Sequence, residues 1–322
     1  MKQYIQLTCE ERYHIYKLKK QLFSLRFIAK SMNRNVSTVS REIKRNTGKK
    51  NYRYKQAQNK AQQRHRDKDK HIKINKKIKD YIKNGLQQYW SPQQIKGRLK
   101  KEQQINIGCE TIYRHILKNK EQGGNLYTFL RHQNKKYKKR YGKNDYRGRI
   151  PQRVDINERP PIVDKKTRVG DWEADLIVGK NHQGFIVTLA ERYSRLYLAL
   201  PIKNKTKELT ANAIKTMLKN YKEFVKTITF DNGREFNSHI DIAKNLNCKT
   251  YFAKPYHSWE RGLNENHNGL LRQFFPKTMS LKNTTKREVA NATFLINSRP
   301  RKCLCYNSPF EVFAKKTGID IF

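Results

Sequence analysis

Trp172-Glu173-Ala174-Asp175-Leu176-Ile177-Val178 contains a strand with a charge set into it. Residues 174–178 have the length and apolar content of a short buried strand, and Asp175 interrupts them. A strand covered by helices on both faces normally shows a near-continuous apolar run. A carboxylate in such a place costs roughly several kcal/mol unless a partner compensates it, so Asp175 calls for a partner. Working outward, residues 185–190 and 196–200 read as two more strands, joined by the polar turn Glu191-Arg192-Tyr193-Ser194-Arg195. An amphipathic helix follows over 206–224, with Leu209, Ala213, Met217 and Leu218 on its apolar side. Residues 225–230 form a fourth strand that ends in Asp231-Asn232-Gly233, and 249–253 a fifth.

Three meandering strands, then helix, strand, helix and strand, predict a mixed sheet flanked by helices. That order fits an α/β ribonuclease-H-like fold. Asp231 repeats the situation of Asp175 at the end of another strand. Alone it would be weak evidence, because Asp-Asn-Gly is a good turn and an isolated aspartate there is more often a cap. A third element adds to it. Pro255-Tyr256-His257-Ser258-Trp259-Glu260-Arg261-Gly262-Leu263-Asn264-Glu265-Asn266 is a loop feeding a helix that runs to about residue 274. Glu265 falls in its first turns, with Asn268 and Arg272 at helical spacings on or near its face.

The charge balance points to a polyanion. The 322 residues hold 71 Lys+Arg against 27 Asp+Glu, a net +44 that no fold requires. Residues 1–150 account for 41 basic and 10 acidic side chains, so the N-terminal half is the main binding region. It reads as all-α. Thr8 and Glu11 have capping-box spacing, and helices are expected from there to about residue 20, over 25–32 and over 37–45. Asn33-Arg34-Asn35 supplies a turn before the last of them. Three short helices with a tight turn before a basic final one form a helix-turn-helix pattern. Thr38 and Arg41 would reach base edges and Lys44 would hold phosphate, with Arg45 on the same DNA-facing side. Ser91-Pro92 opens another helix, and 110–117 has the pattern of a second recognition-type helix. Lys135, Lys136, Lys138, Lys139 and Arg140 make a near-continuous basic run, as in a solvated linker.

Five scattered cysteines lack zinc spacing and suit a reducing cytoplasm. The N-terminus lacks the apolar run of a signal peptide, and no stretch has the roughly 18 apolar residues of a membrane span. A cytoplasmic protein with no membrane partner is expected.

Gly170-Asp171-Trp172-Glu173-Ala174-Asp175, Asp231-Asn232-Gly233-Arg234-Glu235-Phe236 and Asn264-Glu265-Asn266-His267-Asn268-Gly269-Leu270-Leu271-Arg272-Gln273-Phe274-Phe275-Pro276 resemble the three carboxylate motifs of retroviral-integrase-type DDE transposases, with 33 residues between Asp231 and Glu265. Within that superfamily the wording is closest to the insertion-sequence-thirty family of bacterial transposases. Asn297-Ser298-Arg299-Pro300 and Ser308-Pro309-Phe310-Glu311 fit as well, and Ser40-Arg41-Glu42-Ile43 is similar to its N-terminal helix-turn-helix. Ala174 and Cys305 stand where glycine is usual, and neither change touches a carboxylate.

The resemblance implies a divalent-metal-dependent transposase. Asp175 would bridge two magnesium ions, while Asp231 and Glu265 would each hold one, with manganese as a substitute. Two ions about 3.5–4 Å apart can activate the attacking oxygen and stabilise the leaving one. Water would attack at the transposon end, and the freed 3′-hydroxyl would attack target DNA. The partners implied are the terminal inverted repeats, target double-stranded DNA and further copies of the chain, in a bacterial cytoplasm at the nucleoid. The expected multidomain layout is a helix-turn-helix domain at 1–48, a basic helical connector at 49–88, a second helix-turn-helix at 89–122, a basic linker at 123–160 and the catalytic core at 161–322. Two other activities fit the same sequence: a metal-dependent nuclease without strand transfer, and a DNA-binding repressor with an inert core.

Overall fold

The computed structural model describes residues 6–48, 51–67, 74–131, 150–254, 260 and 262–319. The chain divides into two compact units, Met1–Lys73 and Ile74–Phe322. The basic run at 135–140 and the loop residues His257 and Trp259 lie outside the described residues.

The first unit contains α1 (Cys9–Lys20), α2 (Leu25–Ser31), α3 (Val36–Asn46) and α4 (Tyr54–Asp67). Thr8 and Glu11 close the expected capping box on α1, and Ser24 and Asn35 cap the next two helices through their side chains. Asn33 takes a left-handed backbone, φ 50°, at the turn before α3. Ile15, Ile28, Ala29 and Val39 form the core with Tyr52 and Ala57. Residues 51–67 are thus part of this unit, although they were expected in a connector. α4 lies against α1 and α3. An ion pair also ties them: Arg12 Nε donates to Glu42 Oε1 at 2.8 Å, and the Tyr52 hydroxyl donates to the same oxygen at 3.2 Å.

The second unit begins with α5 (Lys76–Gln87), α6 (Pro92–Gln103) and α7 (Cys109–Glu121). Ser91 and Gln94 form a capping box with Pro92 in the first turn, as the Ser-Pro pair predicts. Ile78, Ile82 and Leu86 of α5 share one core with Ile95, Leu99, Ile112 and Ile116. The helical module therefore starts near residue 74, earlier than the expected 89. It rests on the sheet domain that follows. Arg98 donates to both carboxylate oxygens of Glu311 at 2.8 and 2.6 Å and to the Tyr306 carbonyl at 3.1 Å. Gly97 faces the Tyr306 ring so closely that a Cβ would sit 2.0 Å from it.

The sheet domain comprises α8 (Ile162–Lys165), β1 (Asp171–Val178), β2 (Phe185–Glu191), β3 (Tyr197–Ile202), α9 (Lys207–Leu218), β4 (Thr227–Phe230), α10 (His239–Leu246), β5 (Lys249–Phe252), α11 (Gly262–Leu271), α12 (Lys286–Asn297) and α13 (Pro309–Thr317). The helix expected over 206–224 is α-helical only to Leu218 and tightens into a 3₁₀ segment, Lys219–Phe224. Among the described residues the sheet has five strands in the order β3-β2-β1-β4-β5. β1 to β3 are antiparallel neighbours, while β4 and β5 run parallel to β1. This is the mixed ribonuclease-H-like sheet flanked by helices. Trp172 and Ala174 of β1 pack into one core with Ala213, Ile214 and Ile242. On the other face, Ile177 and Ile186 pack with Leu270, Leu271, Val289 and Ile296. Glu173 pairs in register with Thr229, so the carboxyl end of β4 comes beside Asp175, three residues short of the carboxyl end of β1. Such ends border the crevices in which open α/β sheets bind ligands.

Candidate functional site

Alternation along β1 puts Asp171, Glu173 and Asp175 on one face. The first two are buried and fully engaged. Arg168 forks onto both Asp171 oxygens at 2.9 and 3.0 Å, and the Thr227 hydroxyl donates to Oδ1 at 2.8 Å. Glu173 accepts from Arg192 at 2.7 Å and from the Asn264 backbone amide at 3.0 Å. Buried carboxylates held this way serve the fold. Asp175 is half-buried and has the partner its position calls for: Asn268 Nδ2 donates to Asp175 Oδ2 at 2.6 Å. The amide is itself oriented, because Asn268 Oδ1 accepts from the Tyr197 hydroxyl at 2.8 Å and the Thr188 hydroxyl at 3.1 Å. Burial pushes the Tyr197 phenol well above its ordinary value, so it stays protonated and keeps donating.

Asp231 directly follows β4, and its Oδ1 accepts from the Gly233 amide at 2.9 Å in the expected turn. Asp175 and Asp231 line one cavity of about 500 Å³ with Lys205, Lys207, Gly233, Arg234 and Glu235. Glu235 is buried beside Lys205, 3.0 Å away. Glu265 sits in the first turn of α11, exposed and off this lining. Asn268, one turn further along the same helix, is the residue that binds Asp175. Among the described residues, no three His, Cys, Asp or Glu side chains gather closely enough to hold a metal ion. Oxygen-only donors from two parallel strands suit a hard divalent cation, so the chemistry of the pair fits such an ion, and the third carboxylate stands apart.

Sequence reasoning missed the three cations of this cavity. Lys205 and Lys207 alternate just after β3, a signal that could have marked them, and Arg234 follows the Asp231 turn. Arg272 donates to the Val178 carbonyl at 2.8 Å and so braces the end of β1. The His267 ring lies between the Leu263 carbonyl, 2.9 Å from Nδ1, and the Arg195 carbonyl, 3.1 Å from Nε2; burial together with nearby Arg301 and Arg195 pushes its pKa down to about 3, so the neutral ring donates to one of them.

In the first unit, Thr38, Arg41 and Arg45 of α3 line a cleft of about 390 Å³ with Arg64 and His65 of α4. Lys44 is exposed and outside the lining. Arg41 lies back along its helix, donating to the Ser37 carbonyl at 3.0 Å and the Ser37 hydroxyl at 2.9 Å. Arg64 and His65 went unforeseen because α4 buries only Ala57 and so shows no apolar stripe.

A helix-turn-helix domain family matches residues 3–46, and the integrase core domain family matches residues 167–258. The second match contains Asp175 and Asp231, and Glu265 lies just beyond it. The chain is 41% identical over 309 residues to the transposase for insertion sequence element IS4351 of Bacteroides fragilis, covering 95% of both chains. It is 32% identical over 324 residues to transposase InsI for IS30C of Escherichia coli strain K12, covering 97% of this chain and 84% of that one. Against the transposase for IS1086 of Cupriavidus metallidurans the identity is 34% over 332 residues, with 97% and 95% covered. Helix-turn-helix and integrase domains make DNA the partner, and an integrase core implies a divalent metal in general terms. Among the described residues no helix is long and apolar enough to cross a membrane. The chain belongs to the IS30 family of transposases, enzymes of DNA transposition built on an integrase core.

Proposed function

We propose that the chain binds the terminal inverted repeats of its insertion sequence, cleaves the ends and joins the 3′-hydroxyls to target DNA, with Asp175, Asp231 and Glu265 as the catalytic carboxylates. The observation that carries this is the shared cavity of Asp175 and Asp231, to which α11, bearing Glu265, is tied through Asn268. The three carboxylates would hold two divalent ions, magnesium with manganese as substitute, which when bound activate the attacking oxygen and stabilise the leaving one. Asn268 fixes the Asp175 carboxylate, and the charges of Lys205, Lys207 and Arg234 draw the DNA phosphates into the cavity. No side chain need act as nucleophile: water attacks at the element's end, and the released hydroxyl attacks the target.

Thr38, Arg41, Lys44 and Arg45 read the repeat, Arg41 and Thr38 at base edges and the others at phosphates. Joining two ends requires at least two copies in the DNA complex, at the nucleoid of a bacterial cytoplasm. The layout proposed for these roles is recognition in the N-terminal helices, a second helical module that starts near residue 74 rather than the expected 89, and chemistry from 161 onward. The test is cleavage and joining of labelled terminal-repeat DNA by the full chain with magnesium or manganese, with chelator as blank. Cleavage without joining would leave a nuclease, and neither would leave a repressor.

A further inference from the structure

A second cavity, of about 290 Å³, opens beside the N-terminal end of α11 and shares no lining residue with the first. Four of its residues are cationic, Lys166, Arg192, Arg195 and Arg301, against two carboxylates, Glu173 and Glu260. Arg192 is already matched by Glu173 at 2.7 Å, and Glu260 accepts from the Lys254 amide at 2.9 Å. Three cations remain facing one acid. Arg195 Nε and Arg301 Nε are buried donors with no hydrogen-bond partner, a costly state that an incoming acceptor relieves. Lys166 and Arg195 also hold left-handed backbones, φ 54° and 65°, where Gly or Asn would be easier.

We propose that this cavity is a seat for one phosphodiester of bound duplex DNA, held by Lys166, Arg195 and Arg301 beside the amide end of α11. Helix N-termini favour anions; Gly262 and Leu263 of that end line the cavity, and the Asn264 amide beyond them already binds the Glu173 carboxylate. The electrostatics agree. Burial lowers the pKa of Lys166, and nearby Arg192 and Arg195 lower it further. Arg301 is pushed down to about 10 by burial, with Arg131 and Arg195 adding to the effect. A phosphate removes that mutual repulsion. A DNA backbone is the source because Glu173, Arg192 and Arg195 of this cavity belong to the segment that matches an integrase core, in a chain of net charge +44. The seat depends on DNA as partner and not on the carboxylate assignment, so cleavage tests one and salt dependence the other.

The experiment titrates a labelled duplex of mixed sequence with the full chain over a range of salt. Lys166→Gln and Arg195→Gln should each weaken binding about tenfold and lower the log–log salt slope by about 0.9, the loss of one phosphate contact. Arg195→Lys should keep the slope. Inorganic phosphate, at ionic strength matched with chloride, should raise the Tm of the parent chain and not that of the glutamine variants. Cooperatively folding variants with the parental slope would overturn the proposal. So would a phosphate-dependent Tm combined with an unchanged slope, which would make the seat a small-anion site. If Arg195→Gln fails to fold, Lys166→Gln, at the half-buried C-cap of α8, decides alone.

Discussion

The side-chain amide of Asn268 donates to Asp175 across 93 residues of sequence at 2.6 Å, and its oxygen is occupied by Tyr197 and Thr188. That leaves the amide only one orientation. Asn268→Ala should therefore loosen the Asp175 carboxylate without removing its charge. End cleavage should fall by about 10–100-fold, the usual cost of losing the hydrogen bond behind a metal-binding group. DNA affinity should change little, while stability should fall by about 1–3 kcal/mol because the buried Tyr197 hydroxyl loses its acceptor. Parental cleavage by this variant would mean that Asp175 needs no positioning from α11.

Asp175→Asn, Asp231→Asn and Glu265→Gln should each abolish end cleavage and joining while leaving DNA binding nearly intact, because an amide keeps the shape and loses the charge. Double variants should be no worse than single ones. Asp171→Asn is the informative control. Its carboxylate is buried under Arg168 and Thr227, so it should cost about 1–3 kcal/mol of stability yet leave the folded fraction able to cut. Glu260→Gln should also cut. Normal cleavage by Glu265→Gln would remove Glu265 from the set.

Asp175 was legible in the sequence because a charge broke an apolar strand, and the order of strands and helices was enough to give the sheet. The capping box at Thr8 and the helix start at Ser91-Pro92 were legible because they are local. Distant partners were not. Nothing near Glu173 in sequence says that Arg192 and the Asn264 amide meet it, so its structural role emerged only in three dimensions. α4 was hidden by a Lys- and Gln-rich sequence with one buried alanine. α5 was readable and overlooked: Ile78, Ile82 and Leu86 recur at four-residue spacing. The sequence carries no sign that Glu265 stands off the cavity of Asp175 and Asp231.

The cleft of the first unit separates two kinds of DNA contact. Arg41 sits midway along α3, and its hydrogen bonds to Ser37 turn its guanidinium toward the helix's N-terminal end, the end that meets base edges in helix-turn-helix docking. Arg41→Ala in the full chain should lower the preference for terminal over random duplex by about 1–3 kcal/mol. Arg64→Gln, on α4, should weaken both duplexes alike and reduce the salt slope by about 0.9. Competition binding at fixed salt distinguishes them. Equal loss on both duplexes for Arg41→Ala would move base reading elsewhere.

Arg98 and Glu311 join the α5–α7 module to α13 across 213 residues of sequence. Hydrogen bonding from Arg98 holds the Glu311 carboxyl down from its ordinary 4.5 to about 2, despite some opposing burial. A depressed folded pKa gives stability that is fully present above the unfolded value. It is lost as pH falls from about 4.5 through about 2. Glu311 is 37% exposed, so solvent screening keeps the contribution modest. Tm followed by scanning calorimetry from pH 6 down to pH 2 should show Glu311→Gln less stable than the parent at the upper end. The two curves should converge toward the acid end, where the parent's carboxyl is neutral as well. Arg98→Met should show the same loss at neutral pH, and adding Glu311→Gln to it should cost little more, because the two side chains act as one pair. Curves that stay parallel over the whole range would show that the ion pair does not couple the module to the sheet domain, leaving that task to the packing of Gly97 on Tyr306.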